Sequence, residues 1–194
     1  NKLGFYFEHT IKNLLNGKRS LDHLIYQTPY GFHLIAGESG NLRLANLNTP
    51  QKRRFINALR EVGNDYDFVF YDLSAGIRAT TMDFALAQDY QIVVTTPQDI
   101  VAGYACIKAL YHRFIEVETK LAERDKIYKM RTTLRPFVVI NQSPDFETGR
   151  SLFEKVVNVS KQNIVTDKKF HLDLNLLGVV IGDQEKIRDA ELNH

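Results

Sequence analysis

The sequence predicts an α/β fold, a doubly wound and mostly parallel sheet with helices on both faces. Three observations carry this. Five short apolar runs punctuate the chain, at Gly31–Gly37, Asp67–Leu73, Gln91–Thr96, Pro136–Asn141 and Leu176–Gly182. The last four are rich in Val, Ile and Phe and do not alternate with polar residues, which suits strands covered on both faces. Stretches with helical periodicity separate the runs, as βαβ crossovers require.

The elements follow in order. Pro50–Val62 reads as a helix, with Thr49 as a candidate N-cap, proline at its first position and Phe55, Leu59 and Val62 on one side. Arg78–Ala87, Ile100–Glu123 and Phe146–Lys161 are the next helices, and Asp183–Leu192 reads as a closing one. Lys126–Arg135 is basic and polar and reads as a loop. No repeat or low-complexity segment interrupts the pattern.

Bulk properties narrow the function classes. The chain has 194 residues, 44% of them hydrophobic, enough for one domain spanning residues 1–194. A net charge of +2 gives no strong field for nucleic acid or anionic lipid. The single cysteine, Cys106, can form no internal disulfide; it reads as a small core residue and fits a cytoplasmic setting. The six histidines have no zinc-like spacing. No apolar run approaches the roughly 20 residues that span a bilayer. The chain starts at Asn1 without methionine and reads as a fragment, or as a chain with earlier residues not included. The cationic groups Lys52–Arg54 and Lys126, Lys129, Arg131, Arg135 read as solvated faces or as partner surfaces.

The most informative segment is Asp65-Tyr66-Asp67 through Asp72-Leu73-Ser74-Ala75-Gly76-Ile77. An apolar run ends at a carboxylate and turns through small residues into a helix. Ligands of open α/β sheets sit beyond the carboxyl ends of strands. Asp72 there can hold a Mg²⁺ water or orient an attacking water, or it can cap the following helix. Gly76 would let the backbone approach a terminal phosphate. Asn141 ends another run, where its amide can meet an adenine edge or open the Gln142-Ser143-Pro144 turn.

These segments, taken in order, resemble the MinD/ParA family of deviant-Walker ATPases, nearest its FlhG-like branch, which regulates flagellar number and placement. The Asp65–Ile77 string is similar to the family's switch II region. Thr10–Leu21 resembles its Thr-Leu-x-x-Val-Leu-x-Gly-x-x-Ser-Leu stretch, and Gly31–Leu47 its Gly-Leu-x-Val-Leu-x-Gly-x-Ser-Gly segment. Gln91–Pro97, Tyr104–Lys108 and Val138–Asn141 resemble a strand, a helix and the strand whose asparagine contacts adenine in many members.

The resemblance implies ATP and Mg²⁺ as cofactors of the intact protein, Asp72 as catalytic and metal-linked residue, and Gly76 and Asn141 as nucleotide-binding residues. It also implies an ATP-bound homodimer and partners among flagellar assembly or other positioning proteins. The alternatives are a ParA-like partition ATPase and a non-catalytic scaffold; nucleic acid is not the expected partner. The departures are equally specific. No Gly-x-x-x-x-Gly-Lys occurs, so the phosphate-binding N-terminal unit is expected to be missing. The family's proline is absent around Val180–Asp183, and Gln98-Asp99 after Pro97 makes that run about two residues shorter. Membrane contact would need the family's C-terminal amphipathic helix, which this sequence does not include.

Overall fold

The structure, a computed structural model, describes residues 11–15, 20–37, 48–164 and 168–183. The chain divides into two compact units, Asn1–Leu73 and Ser74–His194. The expected helix Asp183–Leu192 lies outside the described residues from position 184 onward, as do residues 38–47 and parts of the Thr10–Leu21 stretch.

The first unit holds helix α1 (Ile11–Leu15), a 3-10 turn at Leu21–Leu24, strands β1 (Ile25–Gln27) and β2 (His33–Ile35), and helix α2 (Thr49–Gly63). The expected strand at Gly31–Gly37 is present but shorter, and it pairs antiparallel with β1, which sequence reasoning missed. The hairpin closes through Thr28, whose hydroxyl and backbone N–H both donate to the carbonyl of Phe32. Gly31 takes the left-handed conformation that this turn requires, at φ 83°. Helix α2 packs against the 3-10 turn, with Phe55, Leu21 and Leu24 buried. Its first bond runs from the Lys52 N–H to the Asn48 carbonyl, 2.9 Å, so Asn48 stands at the cap in place of the expected Thr49.

The expected strand Asp67–Leu73 does not form. Phe68 and Phe70 are 81% and 83% exposed, and the segment carries no ladder among the described residues. A strand exists only by pairing, and an apolar run without a partner remains irregular.

The second unit holds the parallel sheet β3-β5-β7, formed by Ile92–Thr95, Phe137–Ser143 and Asn175–Ile181. Helices α3 (Ala79–Leu86), α4 (Ile100–Arg124) and α5 (Phe146–Asn163) accompany it. A two-stranded parallel pair, β4 (Thr133–Leu134) and β6 (His171–Leu172), was not anticipated; it leads directly into β5 and β7, and the Asp173 N–H to Leu134 carbonyl and Asn175 N–H to Pro136 carbonyl bonds, 2.9 and 3.1 Å, carry the pairing on. The mostly parallel α/β architecture expected from the sequence is thus present.

Register explains the packing. Val93 pairs with Val138, and Thr95 with Ile140, so these four side chains share one face and are buried under α4 and α5. Ile92 and Val94 point to the other face and remain exposed. Helix α4 can lie close only because Gly103 has no side chain; a Cβ there would stand 2.7 Å from Thr95 Cβ and Oγ1. Gly149 does the same for α5 against Val179, at 2.5 Å. Ile107, Leu110, Tyr111 and Phe114 form the buried stripe of α4 at helical spacing. Among the described residues no helix is long and apolar enough to cross a membrane.

Candidate functional site at the carboxyl edge of the parallel sheet

Three parallel strands of the second unit deliver their carboxyl ends to one edge, the place where open α/β sheets take ligands. The exit from β3 is tied by hydroxyls. Thr95 Oγ1 donates to the Asp99 carbonyl at 3.0 Å, and Thr96 Oγ1 bonds the Asp99 carboxylate at 3.2 Å and accepts from the Asp99 N–H. This turn starts α4.

The exit from β5 is irregular. Its register with β7 shifts between Ile140 and Ser143, so Asn141 and Gln142 form a bulge. Gln142 adopts φ 56°, a left-handed conformation that costs a residue bearing a Cβ on the order of 1–3 kcal/mol. The half-buried Asn141 accepts the Gln142 N–H through its own side-chain carbonyl, 3.0 Å. The strand ending at β7 presses on the bulge. A Cβ at Gly182 would meet Gln142 Cα at 3.0 Å, and the Gly182 N–H donates to the Ser143 carbonyl at 2.9 Å. Glycine at position 182 permits this close backbone approach.

Beyond the bulge, the buried Ser143 donates to the Asp145 carbonyl at 2.8 Å. Asp145 caps α5: its carboxylate accepts from the Thr148 N–H at 2.6 Å and from the Thr148 hydroxyl at 2.9 Å. The Thr148 N–H first, then the Thr148 hydroxyl, hold the Asp145 carboxyl below the usual carboxylate range.

The three residues singled out from the sequence fall differently. Asn141 stands near the carboxyl end of its strand, as expected. Gly76 has φ 118°, a conformation reserved for glycine, and among the described residues beyond its chain neighbours no atom lies within 4 Å of the position its Cβ would take. Asp72 is exposed, outside regular structure, and belongs to the first unit, whereas Gly76 and Asn141 belong to the second. The strand expected to present Asp72 is the one that does not form. Sequence reasoning missed Gln142, Gly182 and the Asp145 cap. Only the last left a signal, an aspartate after Ser-Pro and directly before a helical pattern. Among the described residues no group of three or more His, Cys, Asp and Glu could hold a metal ion.

Known proteins share this chain's sequence over most of its length. It is 29% identical over 176 residues to the flagellum site-determining protein YlxH of Helicobacter pylori, covering 88% of this chain and 52% of that protein. It is 26% identical over 190 residues to the antiactivator FleN of Pseudomonas aeruginosa, covering 97% of this chain and 59% of that protein. The chain is thus similar in sequence to two proteins named for flagellar site determination and for antiactivation. It spans 52% and 59% of the lengths of these two relatives. No family model matches it.

Proposed function

We propose that this chain is the larger part of one ATP-dependent dimerisation switch domain that controls flagellar number or placement. The observation that carries the reading is similarity along 88% and 97% of the chain to proteins named for flagellar site determination and antiactivation. The carboxyl-edge geometry supports the nucleotide part. Asn141 stands near the carboxyl end of β5, where its amide could serve a purine edge, and the positive φ of Gly76 would suit close approach of a phosphate. The cradle that would hold the remaining phosphates is expected from a Gly-Lys-Ser/Thr turn, which the 194 residues do not contain.

In this reading Asn141 orients the base and Gly76 admits the terminal phosphate against the backbone. Asp72 acts through waters of Mg²⁺ or orients the attacking water. Mg²⁺ would supply charge neutralisation at the phosphates. The intact protein is cytoplasmic, works as a homodimer when ATP is bound, and presents flagellar assembly proteins with a surface that only the dimer has. A C-terminal amphipathic helix would bring it to the membrane periphery.

Light scattering on the full-length protein tests the switch. Dimer mass with Mg-ATP and monomer mass with Mg-ADP are expected. A mass that ignores the nucleotide would refute the switch and leave the flagellar role to be explained by a static scaffold.

A further inference from the structure

The buried stripe of α4 contains one misfit. Continuing Ile107, Leu110, Tyr111 and Phe114 by one turn places Glu118 in the core, where it is 0% exposed. Its carboxylate is fully engaged by the segment that follows the helix. Glu118 Oε2 accepts from the Tyr128 hydroxyl and from the Arg131 N–H, both at 2.8 Å, and Oε1 accepts from Arg131 Nε at 2.7 Å. The Arg131 guanidinium also lies 5.5 Å from the Phe114 ring centroid. One buried acid thus clamps both ends of the segment Tyr128–Arg131.

What the clamp holds out is a tight turn. The Tyr128 N–H donates to the Asp125 carbonyl at 3.1 Å, and the Ile127 N–H to the Asp125 carboxylate at 2.9 Å. Ile127 therefore sits at the tip of a pinned turn and is 89% exposed, the most exposed large apolar side chain among the described residues. Lys126 and Lys129 flank it in the open, with Lys120 and Arg124 one turn apart on the end of α4 behind it. Between Lys120 and Arg131 there are five basic and two acidic side chains. Asp125 is exposed but accepts the Ile127 N–H, and Arg131 is paired with Glu118, so Lys120, Arg124, Lys126 and Lys129 outnumber the exposed carboxylates Glu123 and Asp125. The turn precedes β5, so it lies at the amino edge of the parallel sheet, opposite the bulge at Asn141.

We propose that the Lys126–Lys129 turn is a contact point for an anionic lipid surface, with Ile127 entering the headgroup layer and the surrounding cations meeting lipid phosphates. A convex, rigid turn with one aliphatic tip and a ring of ammonium groups matches a soft, flat, anionic and partly apolar medium. Duplex DNA would engage the cations but gives Ile127 nothing. The inference uses the second unit alone and stands apart from the nucleotide reading.

The chain contains no tryptophan, so Ile127→Trp installs a single reporter at the tip. Vesicles of phosphatidylcholine with phosphatidylglycerol are expected to shift its emission to the blue and to sediment the wild-type chain at low salt, with release at high salt. Pure phosphatidylcholine is expected to do neither. Ile127→Ser is expected to weaken vesicle binding by about tenfold, and Lys126→Glu with Lys129→Glu by at least that. Because Ile127 is exposed, unchanged thermal unfolding of these variants would show that the fold is intact. Unshifted emission, or binding that both variants retain, would overturn the proposal. So would retention on duplex DNA that is insensitive to Ile127→Ser and occurs without vesicle binding.

Discussion

Glu118 illustrates how a single residue can contradict the pattern around it. Its place on the apolar stripe of α4 would suit leucine, yet three hydrogen bonds and the Arg131 guanidinium satisfy it. Removing it leaves a cavity and frees the turn that it clamps. Glu118→Ala is expected to lower unfolding free energy by about 3 kcal/mol, measured by urea titration. A loss under about 1 kcal/mol would reduce the clamp to a surface ion pair. Asp145 acts at the same scale but through pH. Its folded carboxyl titrates below the unfolded one, so its stabilisation is present above the ordinary carboxylate range and is lost as pH falls through the lowered value. Asp145→Ala is expected to lower the Tm at neutral pH and to flatten the acid limb of the Tm–pH curve. An acid limb identical to wild type would dismiss the cap. Asn141 was legible as a residue at a strand end, because an apolar run simply stopped there. Gln142 was not, since its left-handed backbone belongs to a bulge in the pairing of β5 with β7, which depends on residues distant in sequence.

Elements were legible in proportion to how much of their stabilisation is local. Helices α2 to α5 begin and end within two residues of where periodicity places them, and β3, β5 and β7 fall on three of the apolar runs. The short strands β1, β4 and β6 carry two or three residues each and offer no period to read. Asp67–Leu73 shows the converse: its apolar composition declares a strand, and composition says nothing of whether a partner strand is in place. Contact between elements is decided by glycine. Gly103→Ala would drive a Cβ into the Thr95 side chain and push α4 off β3. The expected cost is about 1–3 kcal/mol by denaturant titration, and it should exceed that of an alanine at exposed Gly31 insofar as packing rather than φ sets it. A neutral or stabilising Gly103→Ala would show that α4 does not seat as described.

At the scale of the whole molecule, the order of motifs said more than any one of them. No single stretch points to a flagellar protein by itself; the resemblance rests on their succession along the chain, and similarity to YlxH and FleN extends over 88% and 97% of this chain. The sequence could not locate Asp72, because its position depends on a strand that requires a neighbour. The proposed flagellar role is checked by counting flagella by electron microscopy after deleting the coding gene in the source organism. A changed number or a displaced position of flagella, restored by the wild-type gene, is the expected result. Flagella unchanged in both number and position would rule that role out.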